Sequence, residues 1–129
     1  MQSAGGEIHL LPALPAEWQN GSIKGLRAIG GFEITNMEWK DARLVKLVIK
    51  SNLGGNLRLR VPNAIRLSSG SLKKATGKNP NAFFVLEETP EPIISSKANI
   101  TWPQLRDTRL YDITTRNDAV YTFLIANEK

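Results

Sequence analysis

The chain contains no cysteine and a single histidine, His9. Without thiols there is no disulfide framework and no thiolate zinc site, and one histidine leaves no pair at metal-ligand spacing. No metal and no cofactor are therefore expected. No apolar run approaches the roughly 18 residues that a membrane-spanning helix needs. The start, MQSAGGEI, has neither the basic segment nor the apolar core of a signal peptide. Gly30-Gly31 and Gly54-Gly55 match no phosphate-loop or dinucleotide fingerprint, since neither opens a helix. Amphipathic helical periodicity is also missing beyond about two turns, and no internal repeat is visible.

What is present is enough for one domain. A chain of 129 residues buries roughly two thirds of its unfolded surface, and 41% hydrophobic with 22% charged residues is ordinary for a globular protein. The formal charge of +5 admits an acidic partner, but it reads more simply as a solvated basic surface.

Short strands broken by turns define an all-β domain. Leu57, Leu59 and Val61 alternate with Arg58 and Arg60, which predicts one strand with its arginines on a wet outer face, ended by Pro62. Val45, Leu47 and Ile49 alternate in the preceding segment, and Leu53-Gly54-Gly55-Asn56 predicts a hairpin between the two. A second hairpin is expected where Tyr111–Thr115 and Val120–Ile125 flank Arg116-Asn117-Asp118-Ala119. In the strand after Gly31, Phe32 and Ile34 have one parity and Met37 and Trp39 the other. All four share a core only if a β-bulge at Thr35-Asn36 absorbs one residue. Lys40-Asp41-Ala42-Arg43 turns the chain into the next strand. Phe83-Phe84-Val85-Leu86 and Ile93-Ile94 are further strand candidates, and Pro12 and Pro15 keep Leu10 to Pro15 extended.

Candidate sites are few. His9 could act as a base or a ligand, but it has no acidic or histidine partner at suitable spacing and reads more simply as a junction residue. Glu33 and Glu38 are conceivable as a glycosidase carboxylate pair, yet on a bulged strand both fall on the solvent face. Glu87, Glu88 and Glu91 form a solvated acidic tract. Trp18 and Trp102 flank proline-containing loops and are the weak candidates for sugar stacking, whereas Trp39 has core parity. Arg58, Arg60, Arg66, Lys73 and Lys74 could track phosphates, but no aromatic interleaves with them.

The tract from Gln2 through Gly5-Gly6-Glu7-Ile8-His9-Leu10-Leu11-Pro12-Ala13-Leu14-Pro15, then Trp18, Gly21 to Ala28, Gly30-Gly31-Phe32-Glu33 and Glu38-Trp39-Lys40-Asp41, resembles the C-terminal part of glycoside hydrolase family 95. The likeness runs to about Arg60 and resumes at Tyr111–Thr115 and Tyr121. Ala4, Ile29 and Ala42 depart from that pattern, where histidine, arginine and a turn glycine are usual. The resemblance implies an antiparallel, two-sheet, jelly-roll-like β-sandwich, an accessory domain following an (α/α)6 barrel that carries inverting α-L-fucosidase chemistry. The family's catalytic glutamate and aspartate lie in that barrel, so no catalytic residue maps onto this chain. It further implies a secreted or periplasmic location.

These readings set the expectations. Residues 1–18 are taken as an extended junction from the barrel, 19–129 as the sandwich, and 62–109 as a family-atypical insertion. His9, Leu10, Leu11, Leu14 and Trp18 are taken as docking residues toward the upstream barrel, with weak self-association where that partner is lacking. A glycan-binding module and a basic nucleic-acid-binding domain are the alternatives; a nucleic-acid partner is the least expected.

Overall fold

The computed structural model describes residues 1–84 and 90–126. Its strands are β1 (Gln2–Ala4), β2 (Glu7–His9), β3 (Gly21–Ile23), β4 (Leu26–Ala28), β5 (Phe32–Lys40), β6 (Arg43–Ser51), β7 (Gly55–Val61), β8 (Ile65–Leu67), β9 (Lys73–Lys74), β10 (Arg109–Thr115) and β11 (Ala119–Ile125). They form two sheets, ordered β1-β2-β7-β10-β9 and β3-β5-β6-β11-β8, with β4 also pairing to β5. Every pairing is antiparallel except β2 with β7, where Ile8 lies opposite Leu59 and His9 opposite Arg60. The architecture is an all-β sandwich. Among the described residues no helix is long and apolar enough to cross a membrane.

The core lies between the inner faces. Ile8, Leu10, Leu57, Leu59, Val61 and Ile113 come from the first sheet and its extension, and Phe32, Ile34, Met37, Leu44, Leu47, Ile49 and Phe123 from the second. Phe84 joins them from a loop, its ring centroid 6.4 Å from that of Phe32. The bulge is present: Ile34 pairs with Ile49 and Asn36 with Val48, so Thr35 is the extra residue. That restores Met37 to the face of Phe32 and Ile34, and Trp39 packs half-buried at the rim of the same core. A second shift between Glu38 and Trp39 leaves Val45 without a partner on β5. For this reason Leu44, rather than Val45, shares the inner face with Leu47.

Both expected hairpins are corrected. β6 belongs to the second sheet and β7 to the first, so Asn52-Leu53-Gly54 carries the chain across the sandwich instead of reversing it within a sheet. The Arg116–Asp118 connection likewise takes β10 in the first sheet to β11 in the second. The two crossings pack on each other. A Cβ on Gly54 would lie 3.2 Å from the Asn117 backbone nitrogen, and the buried hydroxyls of Ser51 and Thr115 share a 2.9 Å hydrogen bond. Thr115 also donates to the Gly55 carbonyl at 2.7 Å. These contacts satisfy polar groups that a sheet ladder would otherwise pair.

Genuine two-residue hairpins occur elsewhere. Ala4 pairs with Glu7 around Gly5-Gly6, and Lys40 pairs with Arg43 around Asp41-Ala42. At the second turn both central residues have positive φ, 51° and 56°, which is the type I′ geometry that suits strand twist and favours glycine at the second site. Ala42 therefore sits in a conformation that disfavours a Cβ. Ala42→Gly is expected to stabilise the fold by about 0.5–1 kcal/mol, the relief of left-handed strain exceeding the added chain entropy. A thermal midpoint that fails to rise would count against this.

The remaining strand candidates are also corrected. Phe83 lies in a turn closed by the Asn81 carbonyl accepting from the Phe84 amide at 3.0 Å, and Phe84 is outside any strand. Val85 and Leu86 lie outside the described residues. Ile93 and Ile94, just after Pro90 and Pro92, pair with nothing in a sheet and are exposed.

Candidate functional site

The first eighteen residues do not form one extended linker. β1 and β2 are strands of the first sheet, Leu10 donates its amide to the Arg60 carbonyl at 2.9 Å, and its side chain is fully buried. Leu10 is thus part of the sandwich core and unavailable for docking. The chain leaves the sheet at Leu11, a non-glycine residue with φ of 52°. From there Leu11 to Leu14 forms one wall of a cleft of about 850 Å³ at the end of the sandwich. The Asp41-Ala42-Arg43 turn, Gln19, the end of β7 and residues 104–108 supply the other walls.

Of the docking candidates, Leu11 and Leu14 are half-exposed, and Trp18 is 62% exposed. The backbone carbonyl of Trp18 accepts a 2.8 Å bond from the Trp39 indole nitrogen, which ties the segment to β5. The Trp39 ring in turn fills the space above Gly21, where a Cβ would come within 2.4 Å of it. His9 lines the cleft beside Arg60. Burial lowers its pKa below the ordinary imidazole value; the Arg60 charge and the chain N-terminus act the same way, opposed by Glu7. In the other candidate class, Trp102 is 73% exposed. Neither Trp18 nor Trp102 lines this cleft or a second one of about 670 Å³ between the β8–β9 loop and the β10–β11 crossing.

Of the arginines of β7, Arg58 does not face water and Arg60 is only partly exposed. Arg58 is only 6% exposed and grips Asp112 through Nε and Nη2, both at 2.8 Å, while Nη1 and Nη2 also donate to the carbonyls of Gly77 and Thr76. Asn56 donates to Asp112 and to Asn79, and Asn79 donates to the Gly6 carbonyl at 2.7 Å. The loop after β9 is thereby pinned over the outer face of the first sheet. Arg60 holds Glu7 through Nε and Nη2 and donates to the Thr108 hydroxyl at 3.0 Å, which fastens the cleft wall at Thr108. Burial disfavours the charge on Asp112, but the hydrogen bonds from Arg58 and Asn56 and the Arg58 charge outweigh it, and its pKa lies below the usual carboxylate value.

No phosphate-tracking stripe results, because Arg58 and Arg60 are committed to carboxylates while Arg66 and the Lys73-Lys74 pair lie on different sheets. Glu33 and Glu38 sit on the outside of the second sheet, opposite Lys50 and Lys46 across β6. That is a strand-surface charge pairing, the ordinary arrangement for such residues. Glu87 and Glu88 lie outside the described residues, and Glu91 is exposed. Among the described residues no three or more His, Asp or Glu side chains converge as a metal cage. The polar framework around Arg58 and Arg60 escaped sequence reasoning. Its only trace there was an arginine at every second position of an otherwise apolar strand.

Compared with known proteins, residues 2–91 match the family model described as glycoside hydrolase family 95, C-terminal domain. Alpha-L-fucosidase 2 from Arabidopsis thaliana is 45% identical over 47 residues, which are 36% of this chain and 6% of that protein. The similarity therefore spans a small part of the relative's length.

Proposed function

Because this chain belongs to the glycoside hydrolase family 95 C-terminal domain family, we propose that it is a non-catalytic domain that supports an upstream (α/α)6 catalytic barrel. The observation that carries this reading is the segment after Leu10. It leaves the first sheet at Leu11 and presents Leu11, Leu14 and Trp18 at one end of the sandwich, beside a cleft, without completing their burial. On this reading the junction is residues 11–18, and the family match reaches residue 91. The cleft carboxylates Asp41 and Asp107 are exposed, on a turn and a loop.

The test joins this chain to the polypeptide encoded directly upstream of Met1. Replacing Leu14 and Trp18 together by serine is expected to lower the melting temperature of the joined protein by several degrees, with a much smaller effect on the chain alone, since neither packs against the core. Identical melting of the joined protein with and without the replacements would remove the docking role. Aryl α-L-fucosides are the substrates to try, from the name of the Arabidopsis relative; turnover by the isolated chain would overturn the non-catalytic reading. The exposure of Trp18 and Trp102 favours one second reading, a carbohydrate-binding module, to be checked by tryptophan fluorescence titration with neutral glycans.

A further inference from the structure

Residues 90–107 are exposed without exception, although they carry five large apolar side chains, Ile93, Ile94, Ile100, Trp102 and Leu105. Ile93 is fully exposed and Leu105 is 82% exposed. An apolar surface of this kind on a single short segment marks an interaction site. All but the first two residues of the segment lie past the end of the family match at residue 91.

Two properties decide what covers it. The first is charge. Glu91 and Asp107 balance Lys97 and Arg106, so the segment is neutral on a chain of formal charge +5. A polyanion such as a nucleic acid gains nothing there, whereas an equally apolar, neutral surface matches it. The second is area. Aliphatic side chains offer about 100 Å² each and a tryptophan about 200 Å², so at the observed exposures the five supply roughly 420 Å² of apolar surface. Interfaces are about 60% apolar, giving roughly 700 Å² per copy. Two copies then reach about 1,400 Å², within the range of a standard stable interface.

We propose that residues 90–107 are a self-association arm through which two copies of this chain pair, each laying its Ile93, Trp102 and Leu105 against the same side chains of the other in a two-fold contact. Leu105 also lines the cleft beside Leu11 and Leu14, but the contact is made by residues 90–107 and needs neither Leu14 nor Trp18. Because the copies repel through their overall charge while the contact itself is apolar, association tightens as salt screens that repulsion.

Sedimentation equilibrium on the chain tests this. The expected result is a weight-average mass that doubles with rising protein concentration, with a dissociation constant at least several-fold lower at high than at low ionic strength. Replacing Ile93, Trp102 and Leu105 together by serine is expected to abolish the dimer with the melting temperature of the monomer unchanged, since none of the three is buried in the fold. The Leu14→Ser, Trp18→Ser variant is expected to dimerise as the wild type does. A wild type that stays monomeric at every concentration would overturn the proposal and leave the arm to a different protein. So would a dimer that survives the triple replacement, one dispersed by the Leu14 and Trp18 changes, or one weakened by salt.

Discussion

Replacing Arg58 by alanine is expected to cost about 3 kcal/mol of stability, the low end of the range for breaking a buried ion pair. The guanidinium is almost fully enclosed and makes hydrogen bonds to Asp112 and to the Gly77 and Thr76 carbonyls. Its loss leaves Asp112, whose side chain is 19% exposed, as a poorly hydrated and largely unpaired charge, and frees the loop pinned over the first sheet. Urea unfolding at neutral pH measures the effect. A loss below about 1 kcal/mol would place the pair with ordinary surface ion pairs. Replacing both partners together, Arg58→Met with Asp112→Leu, is expected to recover a large share of the loss, because no buried charge is then stranded.

The same pair sets an acid dependence. The folded-state pKa of Asp112 is depressed, so its carboxylate stabilises the fold fully above the unfolded value of about 3.9. As pH falls below that value the unfolded state takes up the proton first, and the contribution is lost as pH passes through the lower, folded-state pKa. Arg58→Ala is expected to flatten this part of the stability curve. An unaltered acid limb would show that other carboxylates account for it.

Leu10→Ala is expected to destabilise the chain by about 3 kcal/mol, within the range for emptying a buried leucine site. Leu14→Ala, four residues along the same segment, is expected to cost less than about 1 kcal/mol, as is usual for a position outside the core. The contrast follows from where the first sheet stops. Leu10 continues β2 through its bond to Arg60 and reaches the core, whereas Leu11 turns the backbone away. Denaturant midpoints of the two variants decide the matter, and similar small losses from both would return Leu10 to the junction.

Residues 9 to 14 also show why a sequence can name a segment and still misplace its parts. Two prolines report extended backbone equally well for a linker and for the end of an edge strand, because both are extended. Which leucine is buried depends on a strand, β7, that lies some fifty positions further along the chain. Ile93 and Ile94 teach the converse. An apolar pair after prolines suggests a strand, but a strand also needs a neighbouring edge to pair with, and these residues have none in the described structure.

Local order was legible because its cause is local. Alternation located β5, β6, β7, β10 and β11, and the broken parity between Ile34 and Met37 required the bulge found at Thr35. The opening motif carried the family, and with it the sandwich. Tertiary structure alone decided which strands share a sheet. Gly54-Gly55 and Asp118 provide the positive φ that a tight hairpin needs and that a crossing between sheets needs as well, so composition cannot separate the two. Likewise, period-two alternation places Arg58 and Arg60 opposite the core but does not say whether that outer face is wet. Asp112, Glu7 and the loop after β9 decided it, because a charge can be buried only where distant parts of the chain bring its partners.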